Sequence, residues 1–465
     1  LFDEDEILKL DEKYSFDVSV RDDNKRFAGK LTLSPEKCTL RVMGERQTSY
    51  SFYESSQIEC STFDKSFTLF ELSINYQSSQ SLRTSVDDNV GFFEYEFDVG
   101  FVICSDEDFN LNQNAAGFTI DSPMIKKWIG YTNKQQELID KYHGQKLSLF
   151  SEDTLEFTHL LEGYGIIMAF YQLETHSNVL SFSSGIRFPP KLSIEFGSPK
   201  PISELHNEFK KSYDLMTLFV GADFKIDAIE VSTGSHSFSS KTCVYFTSNN
   251  KTYEPDYPVL PLSHNLRFND LPLPELPLES FGNYYNLSEA ERSVFSRYLR
   301  YKRMKSDEER FLGYFRLLEK LTYKTKSYVK SESLEVILKK SESYLAKRLQ
   351  GNKKNIKSLI SRISRLNDSK YNTEKCIGDF YESLPSSLKD GMFYNKSDLQ
   401  KICKLRNDIT HANDYIIDNE KLSKYTSFIN VLLYLALLNK IRISPEVSAS
   451  VAHRLDRYHL VQKFD

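Results

Sequence analysis

Alternation of period two governs the first half of the chain. Phe70, Leu72, Ile74 and Tyr76 fall on one side of a run whose other side is Glu71, Ser73 and Asn75, and Phe93, Tyr95, Phe97 and Val99 repeat the pattern. Successive side chains of a strand point to opposite faces, so such runs predict half-buried antiparallel strands. Gly165 to Leu173 and Leu192 to Phe196 give further strands. A helix carrying Ile202, Leu205, Phe209 and Tyr213 then leads to a last strand over Phe224 to Val231. The pattern predicts a β-rich, sandwich-like domain decorated with helices, over residues 1–252.

Between about Tyr253 and Ser280 the pattern stops. Pro255, Pro258, Pro261, Pro272, Pro274 and Pro277 remove backbone donors and fix φ, so 253–280 reads as an extended, semi-rigid connector. Beyond it the apolar period becomes helical. Ser288 with Glu291 and Ser306 with Glu309 are capping-box pairs, and Ser397 with Gln400 reads as a third. Helices are expected at about 288–304, 307–327, 332–350, 353–367, 373–384, 397–411 and 420–440. Residues 281–465 are therefore predicted to be an all-α bundle, which makes the whole chain α+β and multidomain.

Composition narrows the class. A 54.1 kDa chain with 40% hydrophobic residues is ample for two packed domains. No apolar run reaches the roughly 18 residues of a membrane span, and the opening Asp3, Glu4, Asp5 and Glu6 are unlike a signal peptide. The six cysteines at 38, 60, 104, 243, 376 and 403 lack metal-ligand spacing and a disulfide framework, which fits a cytoplasmic protein without a metal or other cofactor. The net charge of −5 hides an excess of cations: from 291 to 375, Lys and Arg outnumber Asp and Glu roughly twofold. Two runs stand out there, one containing Arg300 and Arg303 and the other spanning Arg348 to Lys357. Both interleave cations with aromatic or polar residues, and phosphate is the natural partner.

The chemistry concentrates at Arg406-Asn407-Asp408-Ile409-Thr410-His411, just ahead of an apolar helix from Tyr425 to Leu438. Arginine grips phosphate through a planar fork, and histidine exchanges protons near neutral pH. With 20 arginines and nine histidines, one such spacing is expected by chance, and Arg454 to His459 supplies a second. The first copy is distinguished by its helical setting and by Asn407, one turn before His411 and able to hold the imidazole. On an unbroken helix Arg406 and His411 diverge by about 140°. A site shared between two chains is the natural geometry.

These residues resemble the motif of HEPN ribonucleases, and the chain is similar to the ApeA-like anti-phage group. Arg406, Asn407 and His411 match the Arg-x4–6-His pattern with its polar residue after the arginine. Arg310 to Leu321, with the Leu318-Glu319 pair, resembles the first long bundle helix of that group, and Phe428 to Leu438 resembles its closing helix. Phe27 to Leu33 and Ile125 to Gly130 are similar to its β-rich N-terminal domain. The resemblance implies a helical nuclease domain acting on RNA, with tRNA among the candidates, in a homodimer or higher homo-oligomer. It also implies an N-terminal domain that senses a phage-derived trigger, in abortive infection. Tyr415, Glu319, Arg300 and Arg303 are the candidate RNA contacts. Two other readings stay open: a catalytically silent RNA-binding scaffold, and a ligand-binding β domain whose bundle serves only to oligomerise.

Overall fold

Among the described residues the alternating runs form fourteen strands: β1 (Tyr14–Asp22), β2 (Lys25–Leu33), β3 (Cys38–Glu45), β4 (Gln57–Ser61), β5 (Ser66–Leu82), β6 (Val90–Ser105), β7 (Asn114–Asp121), β8 (Leu155–Leu161), β9 (Gly165–Tyr171), β10 (Glu174–Asn178), β11 (Ser183–Arg187), β12 (Pro190–Pro201), β13 (Ala228–Thr233) and β14 (Thr242–Phe246). The structure, a computed structural model, describes residues 7–45, 50–82, 90–106, 114–142, 154–178, 183–233, 241–248, 255–270, 272–411 and 413–463. The acidic opening residues and Tyr253 lie outside that set. Two compact units divide at Arg292 and Ser293.

The sandwich-like expectation for the first unit takes the form of a closed ring with an open extension. Six strands follow one another as β3-β2-β1-β4-β5-β6, and β6 pairs back with β3. The sheet continues from β6 through β14, β13, β7, β12 and β9 to β8. Strand β6 makes both possible by changing partner along one edge. Phe92 to Val99 pair with β3, and Phe101 to Ser105 pair with β14. At the change, a Cβ on Gly100 would stand 2.5 Å from the Cβ of Glu71, whose own φ is 53°. Only glycine fits there.

Phe93, Tyr95, Phe97 and Val99 are buried as the alternation requires. Ile74 and Tyr76 are not: a register shift separates them in β5, and they remain 46% and 49% exposed. A bulge adds a residue that the strict period of two does not anticipate. The expected last strand at 224–231 appears as β13, starting four residues later at Ala228.

The helices of the first unit are α1 (Pro123–Ile129), α2 (Asn133–Tyr142), α3 (Leu205–Val220) and α4 (Glu279–Tyr285). The proline-rich segment keeps its described residues out of long elements, yet it is not a solvated spacer. Val259 and Leu260 donate backbone hydrogen bonds to Val220 and Phe219 at the end of α3, at 3.1 and 2.8 Å. The Trp128 indole donates to the Leu260 carbonyl at 3.1 Å. Gly221, at φ 86°, leaves room for Val259, whose Cγ2 would lie 2.2 Å from a Cβ at 221. The apolar residues between the prolines, rather than the prolines, decide where this segment lies.

In the second unit the expected helices appear as α5 (Glu289–Lys302, whose start belongs to the first unit), α6 (Asp307–Thr322), α7 (Ser331–Arg348), α8 (Lys353–Asn367), α9 (Thr373–Glu382), α11 (Lys396–Thr410) and α12 (Asn419–Lys440), joined by the short α10 (Ser386–Gly391) and α13 (Pro445–Val451). Every residue of α12 from Tyr425 to Leu438 is buried, the mark of a central helix surrounded by others. It packs most extensively on α6. Phe428 sits among the rings of Tyr381 and Tyr394, and buried Tyr298 donates to Asn430 at 3.2 Å. No described helix is long and apolar enough to cross a membrane.

Two substitutions test this packing. Phe428→Ala empties a fully buried ring site and is expected to cost about 3–5 kcal/mol, read as a lower denaturant midpoint of the helical signal. Trp128→Phe strands the Leu260 carbonyl without its donor and is expected to cost about 1–3 kcal/mol, read by thermal melting. A wild-type midpoint in either variant would contradict the corresponding contact.

Candidate active site

Helix α11 carries the motif, and its start differs from the expected one. Asn395, not Ser397, is the cap: its side chain accepts from the backbone N–H of Ser397 at 2.8 Å, and Asp398 accepts from the Asn395 N–H at 3.2 Å, completing a capping box. Leu399, Ile402 and Leu405 are buried. That stripe sets the rotation of the helix, which leaves Arg406 partly covered and Asn407 exposed.

Arg406 is held from three sides. Its Nη2 donates to Glu319 Oε2 on α6 at 2.5 Å, its Nη1 donates to Asn407 Oδ1 at 2.9 Å, and its guanidinium lies 5.3 Å from the Phe315 ring centre. The other carboxylate oxygen of Glu319 accepts from the Thr373 hydroxyl on α9 at 2.5 Å. Arg406 and Glu319 are 23% and 30% exposed. The pair is therefore shielded enough to be ordered and open enough to meet a ligand. Cys403, one turn earlier, is a bystander: burial pushes its thiol up to about 12, with the Glu374 carboxylate adding and the Arg406 cation opposing.

His411 is the cap residue that ends α11, with its backbone N–H donating to the Asn407 carbonyl at 2.9 Å. Its side chain is exposed. Asn407 touches His411 through the backbone and spends its side chain on Arg406, so it orients the arginine where the sequence suggested the imidazole. The helix runs unbroken to Thr410, which preserves the divergence between Arg406 and His411.

The remaining candidates separate. Tyr415 donates to Glu308 at 2.7 Å, and that carboxylate pushes the phenol up. Glu308 and Glu319 stand on one stripe of α6, eleven residues and about 16 Å apart along the axis. Tyr415 is thus drawn toward the opposite end of that helix from Arg406. Arg300 lies in the last turn of α5 and Arg303 just beyond it, whereas the contacts that hold Arg406 come from α6 and α11. Within the stretch of the second Arg/His copy, Arg457 has a structural use. Arg457 donates to Asp307 at 3.1 Å and Ser423 at 3.4 Å, and burial lowers the pKa of Arg454.

Phe315 and Thr373 complete the setting without having been singled out in the sequence. Phe315 looked like any apolar residue of α6, and nothing local marks Thr373. Among the described residues, no group of three or more His, Cys, Asp or Glu side chains is placed to hold a metal ion.

Comparison with known families adds two matches that together span most of the chain. Residues 14–274 match the ApeA N-terminal domain 1, and residues 312–447 match the Apea-like HEPN domain. No curated protein and no solved structure gives a significant match. The first match alone covers more than half of the 465 residues, and the second begins within α6 and contains α11 and α12 with the whole Arg406 setting: the chain belongs to the ApeA-like HEPN proteins.

Proposed function

We propose that this protein is an endoribonuclease of the HEPN type that needs no metal and acts in anti-phage defence, with Arg406 and His411 as its reacting pair. Family membership supports an RNase-type, anti-phage role. The observation that carries the finer reading is the treatment of the two motif residues: one cation preoriented by Glu319, Asn407 and Phe315, and one exposed imidazole at the end of the same helix.

In this reading a base removes the proton of a ribose 2′-hydroxyl, the 2′-oxygen attacks the adjacent phosphorus, and the bond to the 5′-oxygen breaks as an acid protonates it. The products are a 2′,3′-cyclic phosphate and a 5′-hydroxyl. His411 serves one of the proton transfers. Arg406 stabilises the charge that gathers on the phosphorane-like transition state, where an already ordered cation contributes most. DNA lacks the attacking hydroxyl. Because the two side chains diverge on one helix, two copies brought together by a twofold axis would supply both an acid and a base to one phosphate. tRNA is among the candidate substrates, and the N-terminal domain is proposed to respond to a phage-derived trigger.

Incubation of the purified chain with total RNA and tRNA in EDTA should yield cyclic-phosphate ends. His411→Ala and Arg406→Ala should each lower the rate by about a hundredfold or more. Cleavage that requires Mg²⁺, or DNA cut equally well, would sink the mechanism. Glu319→Gln keeps the shape but removes the charge that fixes the guanidinium, and is expected to slow single-turnover cleavage by about tenfold. An unchanged rate would show that Glu319 does not position Arg406.

A further inference from the structure

One two-helix element of this acidic protein carries a marked excess of positive charge. Between Lys324 and Lys370 there are thirteen Lys and Arg against four Asp and Glu, in a chain whose net charge is −5. Those residues are mainly the antiparallel pair α7 and α8, which pack chiefly on each other and bury only Leu338, Ile356 and Asn367 along their length. Helix α7 alone is about 27 Å long. Lys347, Arg348, Lys353, Lys354, Lys357 and Arg362 are all exposed, and none of them makes an ion pair among the described residues. The first turn of α8 holds Lys353 and Lys354 and no acidic residue. Cations at a helix N-terminus oppose the helix dipole, so this placement works against folding and calls for another use.

Two further features select the kind of polyanion. Tyr328 and Tyr344 are each 63% exposed, with Lys370 5.9 Å from the first ring centre and Arg348 5.7 Å from the second. A flat ring beside a cation suits a base beside its phosphate. The root of the hairpin is also fixed next to the candidate active site. The buried Asn367 side chain bonds Val329 through both its oxygen and its nitrogen, Asp368 accepts from Ser327 and Ser331, and Thr373 grips the same Glu319 that holds Arg406.

We propose that the α7–α8 hairpin is an RNA-docking arm, which holds the phosphate backbone of a strand whose scissile phosphate lies at Arg406. The choice of RNA as the polyanion rests on the ribonuclease reading above. The arm contributes affinity and reach, and leaves bond breaking to Arg406 and His411.

The test uses the full chain carrying His411→Ala, so that the probe survives, with and without Lys347→Gln, Arg348→Gln, Lys353→Gln and Lys354→Gln together. A fluorescein-labelled single-stranded RNA of mixed sequence is titrated by anisotropy at rising KCl. Loss of four cations should weaken binding about tenfold or more at low salt and reduce the slope of log Kd against log[KCl] by about two to four. The melting temperature should hold in the fourfold variant, because Lys347 and Arg348 favour the α7 dipole while Lys353 and Lys354 oppose that of α8, and it should hold or rise in the Lys353→Gln, Lys354→Gln pair. Helix formation in the variant is checked by circular dichroism, and Lys353→Gln with Lys354→Gln alone serves as a milder pair.

Equal affinity and slope in the variants would overturn the arm. So would absence of RNA affinity in the parent, or loss confined to binding of vesicles containing anionic lipid or to self-association in sedimentation. Cleavage by the native chain is scored separately. An uncut RNA that still needs the four cations for binding would remove the nuclease reading and keep the arm, whereas cleavage and binding that ignore them would do the reverse.

Discussion

One carboxylate organises the helical unit's chemistry. Glu319 receives Arg406 on one oxygen and Thr373 on the other, so it ties α11 and α9 to α6, which is itself seated on the buried α12. A half-covered ion pair of this kind adds little net stability, because desolvation offsets much of the attraction. Its effect is on geometry. Without the anion, the guanidinium at the end of a long side chain would sample several rotamers; with it, and with Phe315 beneath, the fork keeps one orientation.

The same anion sets a chemical constraint. A phosphate approaching Arg406 meets a guanidinium whose Nη2 is already engaged by Glu319 and whose Nη1 is engaged by Asn407. Under the proposed mechanism, recognition would use the donor hydrogens that those two acceptors leave, and the nearby carboxylate would disfavour loosely placed anions. In that reading, selectivity for a phosphate held by additional contacts elsewhere would follow from the competition.

Much of this was legible in the amino-acid order, and the reasons for the failures differ. Helical period and apolar spacing placed α6, α11 and α12 within a few residues, because a central helix such as 425–438 is apolar on every side. The cap of α11 was misplaced because two overlapping patterns compete, Asn395 with Asp398 and Ser397 with Gln400. The acidic pair prevails, since a carboxylate is the stronger acceptor for an orphan N–H. Alternation revealed strands but not that β3 closes onto β6, since period two reports faces and says nothing of partners. Prolines marked 255–277 as extended, but the burial of Val259, Leu260 and Leu262 depended on a groove made by distant residues. In the sequence Glu319 reads as part of a family-like helix and as a candidate RNA contact, not as the anchor of Arg406. Its partner lies 87 residues away, beyond the reach of any local rule.

The change of partner along β6 also orders events in time. Every strand of the ring has been synthesised once Ser105 is made, but the edge of β6 beyond Gly100 waits for Thr242 to Phe246. At about 5–20 residues per second, that delay during translation is on the order of ten seconds. Throughout it, an apolar stretch containing Phe101, Val102 and Ile103 lacks its final neighbour. Such an edge is a template for unwanted pairing with other chains. Nascent-chain protection is therefore most needed before residue 246 emerges, well ahead of the synthesis of Arg406 and His411.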